Sequence, residues 1–263
     1  LQVLLTSIFC NNPGERFNVY LLHSGISDQD LAPVAEQCRR MQDSFCPIRV
    51  QEDLFAGAPT TRQYPREMYY RLLSPLILPQ KLERVLYLDP DMLIINPLQP
   101  LWELDLHGKT FAAASHTGLT EMANEINQVR LDTEHEYFNS GVMLIDLTAA
   151  RKLVTAEDVF RCVSQHEKEL ILPDQDVFNM LYGRETQPID DVVWNYDVRN
   201  YSKYLIRSSG RHDLNWVMQN TAVLHFCGKN KPWNVDYKNP FGMLYLHYMN
   251  LTTRKLHKVS GKE

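Results

Sequence analysis

Apolar positions along the chain fall into short runs separated by polar turns, and their period switches between that of a helix and that of a buried strand. Leu1, Leu4, Leu5 and Ile8 recur at helical spacing before the breaker Asn11-Asn12-Pro13-Gly14. Residues 17–23 (FNVYLLH) read as a buried strand. Ser27 then caps a helix over 28–41, and residues 47–51 make a short strand. Pro65 opens a helix over 65–78 with Tyr69, Leu72, Leu73 and Leu76 on one face, and the strand 84–88 follows. Strands alternating with helices as far as Asp91 predict an α/β sheet with parallel strands. Unbroken apolar runs fit strands covered on both faces.

The rhythm loosens after Asp91. Residues 110–115 and 141–147 read as strands, and 149–169 as a helical stretch carrying many charges. The segment 174–183 reads as a helix closed by Gly183, 222–228 as a late strand, and 241–251 as a final helix. No linker separates two halves, so the chain reads as one mixed α/β unit of 1–235 followed by a C-terminal helix and basic tail over 236–263.

Composition narrows the function classes. The chain has 263 residues, 44% hydrophobic and 22% charged, which is globular. A net charge of -5 argues against a nucleic-acid partner. No apolar run approaches the length of a membrane span. The sequence opens on Leu1 rather than Met, which reads as a fragment whose leader is left open. Cys10, Cys38, Cys46, Cys162 and Cys227 follow no zinc or C-x-x-C spacing. They predict a reduced, cytoplasmic chain in which each cysteine is a small buried hydrophobe.

The chemistry starts at Asp89-Pro90-Asp91, directly after the apolar strand 84–88. Ligands of open α/β sheets bind beyond the carboxyl ends of strands. Two carboxylates one residue apart repel unless a cation shares them, and Pro90 stiffens the pair. A divalent metal suits that oxygen-rich pair, with a solvated acidic turn as the plain alternative. Haloacid-dehalogenase-type phosphatases share the D-x-D. They continue to Thr or Val where this chain has Leu93, and they carry the motif near the start of the chain.

Further motifs follow in order: residues 137–147 (YFNSGVMLIDL), 172–183 (LPDQDVFNMLYG) and 224–233 (LHFCGKNKPW), with 69–79 (YYRLLSPLILP) ahead of them. Together with the D-x-D they closely resemble family 8 glycosyltransferases. That family includes bacterial lipopolysaccharide galactosyl- and glucosyltransferases and the glycogen primer protein glycogenin. The resemblance runs from Leu1 to about Trp233. It implies a single Rossmann-like nucleotide-sugar domain of GT-A type with a mixed, largely parallel central sheet. It also implies retaining transfer of glucose or galactose from a UDP-sugar to a glycan or lipid-linked acceptor.

By the same resemblance, Asp89, Asp91 and His225 hold Mn²⁺, with Mg²⁺ as the alternative ion, and an imidazole ligand favours Mn²⁺. Gly228 and Lys231 face the diphosphate, where a lysine offsets the charge of the leaving group. Arg71 meets the donor sugar and diphosphate, and Asn139 the sugar hydroxyls. Asp174 binds a donor hydroxyl, Gln175 lies under the anomeric carbon, and Asp176 completes a catalytic cluster. Ordinary readings stand beside these: a core histidine at 225, surface residues at 71 and 231, a turn asparagine at 139, and helix-start acids at 174 and 176.

Relatives begin with a short strand whose polar end grips uracil and ribose, and nothing before Leu1 supplies it. A catalytically silent UDP-sugar-binding relative is the alternative to an active enzyme. Segments 116–136 and 194–215 are the candidate acceptor side. At the C-terminus, Phe241, Leu244, Tyr245 and Tyr248 share a helical face that packs on the domain. Arg254, Lys255, Lys258 and Lys262 make 252–263 basic, which suggests solvated charge or a weak peripheral contact with anionic lipid.

Overall fold

The computed structural model describes residues 1–55, 57–60, 65–115 and 121–257, with backbone alone for 121–125 and 255–257. Helix α1 (Gln2–Asn11) leads into β1 (Asn18–His23), α2 (Asp28–Arg40) and β2 (Ser44–Arg49). Then come α3 (Met68–Ile77), β3 (Arg84–Leu88), β4 (Met92–Ile94), α4 (Gln99–Trp102) and β5 (Phe111–Ser115). The middle of the chain holds α5 (Glu121–Leu131), β6 (Phe138–Asp146), α6 (Leu147–Leu153), α7 (Ala156–His166) and α8 (Pro173–Tyr182). The last part holds β7 (Thr186–Ile189), α9 (Asp191–Trp194), β8 (Tyr196–Asp197), α10 (Tyr201–Arg207) and α11 (Leu214–Asn220). It closes with β9 (Val223–His225) and α12 (Gly242–His257).

Among the described residues the strands form three sheets, β1-β2, β3-β6-β5-β7 and β4-β9-β8. The mixed α/β fold stands, but the sheets are less parallel than the apolar runs suggest. Parallel pairing holds for β1/β2, β5/β7 and β8/β9. Strand β6 runs antiparallel to both β3 and β5, and β4 antiparallel to β9. The physical reason is coverage. Val85 and Tyr87 of β3 pack toward the core formed with α3 and α8, while Leu86 and Leu88 pack toward α1 and α2. A strand buried on both faces is apolar throughout, whichever way its neighbours run.

Local sequence explains the helices. Ser27 caps α2 by accepting the N–H of Asp30. The charged stretch is two helices, because Val154 and Thr155 are extended and Thr155 caps α7 through the N–H of Asp158. Pro75 cannot donate to the Arg71 carbonyl, and the Ser74 hydroxyl donates there instead at 3.0 Å. Gly183 does not close α8 in a left-handed cap. Its φ is -59°, and the chain runs on into a 3₁₀ turn to Glu185. A Cβ at 183 would lie 1.9 Å from Cε1 of His135, so steric room explains this glycine.

The C-terminal helix is no separate unit. Phe241, Tyr245 and Tyr248 are buried with residues of β4, β8 and β9, and Leu244 packs against that cluster. Lys258 and Lys262 of the basic tail lie outside the described residues, as do 116–120 of the first acceptor-side segment. The second such segment starts in the core, since Asn195, Tyr196, Asp197 and Val198 are buried. Among the cysteines, Cys38 and Cys162 are buried, Cys46 and Cys227 are half-buried, and Cys10 is exposed on the outer side of α1, against expectation. Among the described residues no helix is long and apolar enough to cross a membrane.

Candidate functional site

The Asp-Pro-Asp triplet joins two sheets. The Asp89 N–H donates to the Gly141 carbonyl at 2.9 Å, one step beyond the β3/β6 ladder. The Asp91 carbonyl accepts from the Phe226 N–H at 3.0 Å, extending the β4/β9 pairing. His225, the last residue of β9, is thereby brought to both carboxylates. Its Nε2 lies 3.4 Å from Asp91 Oδ1 and 4.0 Å from Asp89 Oδ2. One ligand atom from each of the three residues falls within 4.8 Å of the other two. Gly141 makes the room, because a Cβ there would lie 2.6 Å from His225 Cε1 and 3.0 Å from Asp89 Oδ2.

The donor set fits a divalent cation on the hydrogen-bond pattern behind it. Buried Asn195 places its side-chain oxygen 2.8 Å from His225 Nδ1. With Nδ1 engaged there, Nε2 is the nitrogen that faces the acids, as in metal sites where an outer partner orients the histidine. Burial pushes the imidazole pKa down, yet the contacts with Asp91 and Cys227 overcome it and the net shift is upward, to about 10. Asp91 and Cys227 therefore favour positive charge on the imidazole, which a proton or a metal ion supplies.

The acids differ in environment. Burial raises the Asp89 pKa despite Arg71 and His225, and the net shift is upward. Burial also raises that of Asp91, but hydrogen bonds with His225 and Lys231 outweigh it and the net shift is downward. Lys231 reaches back from its loop to pair with Asp91 Oδ2, and donates to the Phe226 carbonyl at 2.9 Å. Gly228, at φ +89°, turns that loop where an added Cβ would meet the Arg199 guanidinium at 2.8 Å. Trp233 holds the loop's far end against Tyr245 of α12, ring centres 5.7 Å apart.

Arg71, on α3, is the hub of the second half of the site. It donates to Asp89 Oδ1 at 2.7 Å and to the Ser140 hydroxyl at 2.9 Å. Its Nε lies 3.0 Å from Asp174 Oδ2, and its guanidinium lies over the Tyr87 ring at 5.2 Å. Tyr87 in turn donates to Asp89 Oδ1 at 2.8 Å. Asp174, one residue after Pro173 in the first turn of α8, thus faces a cation and does not cap the helix, whose N-cap is Leu172. Beside it, Gln175 Oε1 accepts from Asn139 Nδ2 at 2.9 Å.

Asp176 lies deeper. Arg130 spans both its oxygens, and Tyr137 and the N–H groups of Ile171 and Leu172 donate to them as well. Sequence reasoning placed Asp89, Asp91, His225, Arg71, Asn139, Asp174, Gln175 and Lys231 near one another, and the structure brings them together. It missed Asn195, Tyr87, Ser140, Arg130 and Tyr137. Tyr137 and Ser140 lie inside the 137–147 motif and Tyr87 in the strand before the D-x-D, whereas Asn195 and Arg130 belong to none of the quoted motifs.

A carboxylate–imidazole cluster at strand ends, flanked by an arginine and an amide, on this mixed α/β scaffold is the architecture of the GT-A glycosyltransferases. The galactosyltransferase LgtC, solved with donor and acceptor sugar analogues, matches with a TM-score of 0.80 at 26% identity, over 95% of this chain and 90% of that one. The chain belongs to glycosyl transferase family 8, which it matches over residues 1–236. General stress protein A of Bacillus subtilis is 32% identical, over 95% of this chain and 88% of its own length. The lipopolysaccharide 1,2-glucosyltransferase of Escherichia coli K12 is 27% identical, over 88% of this chain and 68% of its own length.

Proposed function

We propose that this family 8 enzyme transfers glucose or galactose from a UDP-sugar to a hydroxyl of a glycan or lipid-linked acceptor, with retention at the anomeric carbon and with Mn²⁺ at Asp89, Asp91 and His225. The observation that carries the reading is the convergence of those three ligand atoms within 4.8 Å, beside the Arg71–Asp174 pair. The relatives support the sugar class, one being named a glucosyltransferase and another a galactosyltransferase. A bound divalent ion supplies Lewis-acid stabilisation of the departing diphosphate. Oxygen ligands alone would suit Mg²⁺, and the imidazole shifts the preference toward Mn²⁺.

The chain's own residues divide the remaining work. Lys231 and Arg71 carry positive charge to the diphosphate side, and Gly228 lets the loop backbone approach it. Arg71 is held by Asp89 and Asp174, so its fork is oriented before a donor arrives. Asp174 and Asn139 face the sugar hydroxyls, and Gln175 lies below the ring. Asp176, expected as a third catalytic group, acts in this reading as an anchor, because all its oxygens are engaged and it is fully buried. Gln175 is an amide and a weak nucleophile. Same-face attack through a short-lived oxocarbenium-like pair therefore suits these residues better than a covalent intermediate.

The test is UDP release from UDP-glucose and UDP-galactose, with water and then glycan mixtures as acceptor, in Mn²⁺, in Mg²⁺ and in excess chelator. The expected result is release that requires a divalent ion, is faster with Mn²⁺ and is lost in Asp91→Ala. Full turnover in chelator, or donor binding without transfer to any acceptor, would overturn the reading.

A further inference from the structure

One line of hydrogen bonds runs from the imidazole to the amide below the sugar. Asn195 Oδ1 meets His225 Nδ1 at 2.8 Å, and Asn195 Nδ2 donates to Asn139 Oδ1 at 2.8 Å. Asn139 Oδ1 also accepts the Gly141 N–H at 2.9 Å, and Asn139 Nδ2 donates to Gln175 Oε1 at 2.9 Å. The direction of every bond follows from one group. A backbone N–H only donates, so the Asn139 atom facing Gly141 is its oxygen. The Asn195 atom facing that oxygen is then the NH₂. The Asn195 oxygen is left for His225, whose Nδ1 must carry hydrogen. On the other side, the Asn139 NH₂ is left for Gln175, which must present its oxygen.

We propose that Asn195 is a positioning residue that sets both ends of this line: it holds His225 with Nδ1–H inward and Nε2 toward Asp89 and Asp91, and it holds Asn139 so that Gln175 keeps one amide orientation. The proposal rests on the reading that Asp89, Asp91 and His225 bind a divalent ion. Asn195 is 0% exposed, so water cannot replace either bond without entering the core. Its place is fixed by the chain as well. Its N–H donates to the Asp191 carbonyl at 3.1 Å, and the next residue, Tyr196, is paired to Leu224 in β9. The strand that carries the imidazole therefore also fixes the residue that aims it.

Asn195→Asp separates the two ends. A carboxylate still accepts from Nδ1–H, but it has no N–H for Asn139 and sets two oxygens against each other. Asn195→Ala removes both bonds. Mn²⁺ affinity is read by the loss of the free-ion electron paramagnetic resonance signal, with UDP present. Asn195→Ala is expected to weaken it about 10- to 100-fold, the usual effect of removing an outer-shell partner. Asn195→Asp is expected to keep Mn²⁺ affinity within about threefold of wild type, while its sugar-transfer rate falls about tenfold or more, on the scale of a misplaced group. A purely structural role would weaken both properties in both variants, and that result, or unchanged Mn²⁺ affinity in Asn195→Ala, overturns the proposal.

A second measurement needs no ion. In wild-type protein labelled with ¹⁵N-histidine, the Nδ1–H of His225 should appear as a slowly exchanging proton, assigned by its loss in His225→Gln. Its absence from wild type overturns the proposal. Its presence in a protein that binds no Mn²⁺ would leave the line of bonds standing and overturn the metal reading instead.

Discussion

Arg130 sets two guanidinium nitrogens against the two oxygens of Asp176, at 2.9 and 2.8 Å, and the Asp176 side chain is 0% exposed. The pair ties α5 to the first turn of α8, where Asp174 and Gln175 stand. Removing the arginine leaves a buried carboxylate without its cation. Arg130→Met should therefore lower the unfolding free energy by about 3–5 kcal/mol, the usual cost of breaking a buried pair from one side. The double variant Arg130→Met, Asp176→Asn should recover part of that loss. Urea unfolding checks both, and a single variant within about 1 kcal/mol of wild type would contradict the account.

The same carboxylate gives a pH signature. Burial alone would raise its pKa, but Arg130, Tyr137 and the two backbone N–H groups overcome it and hold the group below its ordinary 3.8. A carboxylate depressed in the folded state stabilises fully above its unfolded pKa and loses that contribution as pH falls through the folded value. The stability gap between wild type and Asp176→Asn should stay constant from neutral pH down to about 4.5, then narrow below the unfolded value near 3.9. Urea midpoints taken across that range provide the comparison. A gap that widens on acidification would reverse the sign.

Lys231 pairs with Asp91 and with the Phe226 carbonyl, and its loop adds little to the core. Lys231→Ala should slow UDP release about 10²- to 10³-fold, the scale for one preorganised electrostatic donor. Thermal unfolding should shift by less than about 10 °C, because the two hydrogen bonds lost are worth about 1 kcal/mol each and His225 still faces Asp91. An unchanged rate would return this lysine to an ordinary ion pair.

Gly141 is the steric counterpart. In Gly141→Ala the new methyl would press on His225 Cε1, Asn139 Oδ1 and Asp89 Oδ2 together. Overpacking of this kind costs about 1–3 kcal/mol and displaces what it meets. Mn²⁺ affinity should fall at least tenfold, on the scale of a disturbed outer shell. Gly25→Ala, with nothing within 4 Å of its added methyl, should leave both affinity and stability unchanged and serves as the control.

Legibility in the sequence followed the range of the signal. Helix α2 was plain because Ser27 and its apolar face lie within a few residues of each other. Strand β4 was not, since Met92, Leu93 and Ile94 are all fully buried and three residues show no alternation. Strand β7 was hidden by Pro188, which a sheet tolerates here because β7 is an edge. Within the site, Asp89, Asp91 and His225 belong to spaced motifs and could be read. Asn195 sits thirty residues ahead of His225 in a turn between α9 and β8, where an asparagine is unremarkable. Asp176 reads as a third catalytic group, with an ordinary first-turn acid as the alternative, because nothing local announces Arg130 beneath it.

With Asp89 bonded to β6 and Asp91 to Phe226 just past β9, only Pro90 separates residues tied to two different sheets. An ion gripped by both carboxylates is then a rivet across a seam. If the proposed ion is bound there, heat or force that pries the sheets apart would also open the chelate, and loading the site would tighten the molecule. At an ion concentration one hundred times its dissociation constant, mass action adds about 2.7 kcal/mol to the fold. The supply of divalent metal would in that way set how long the protein survives as well as how fast it works.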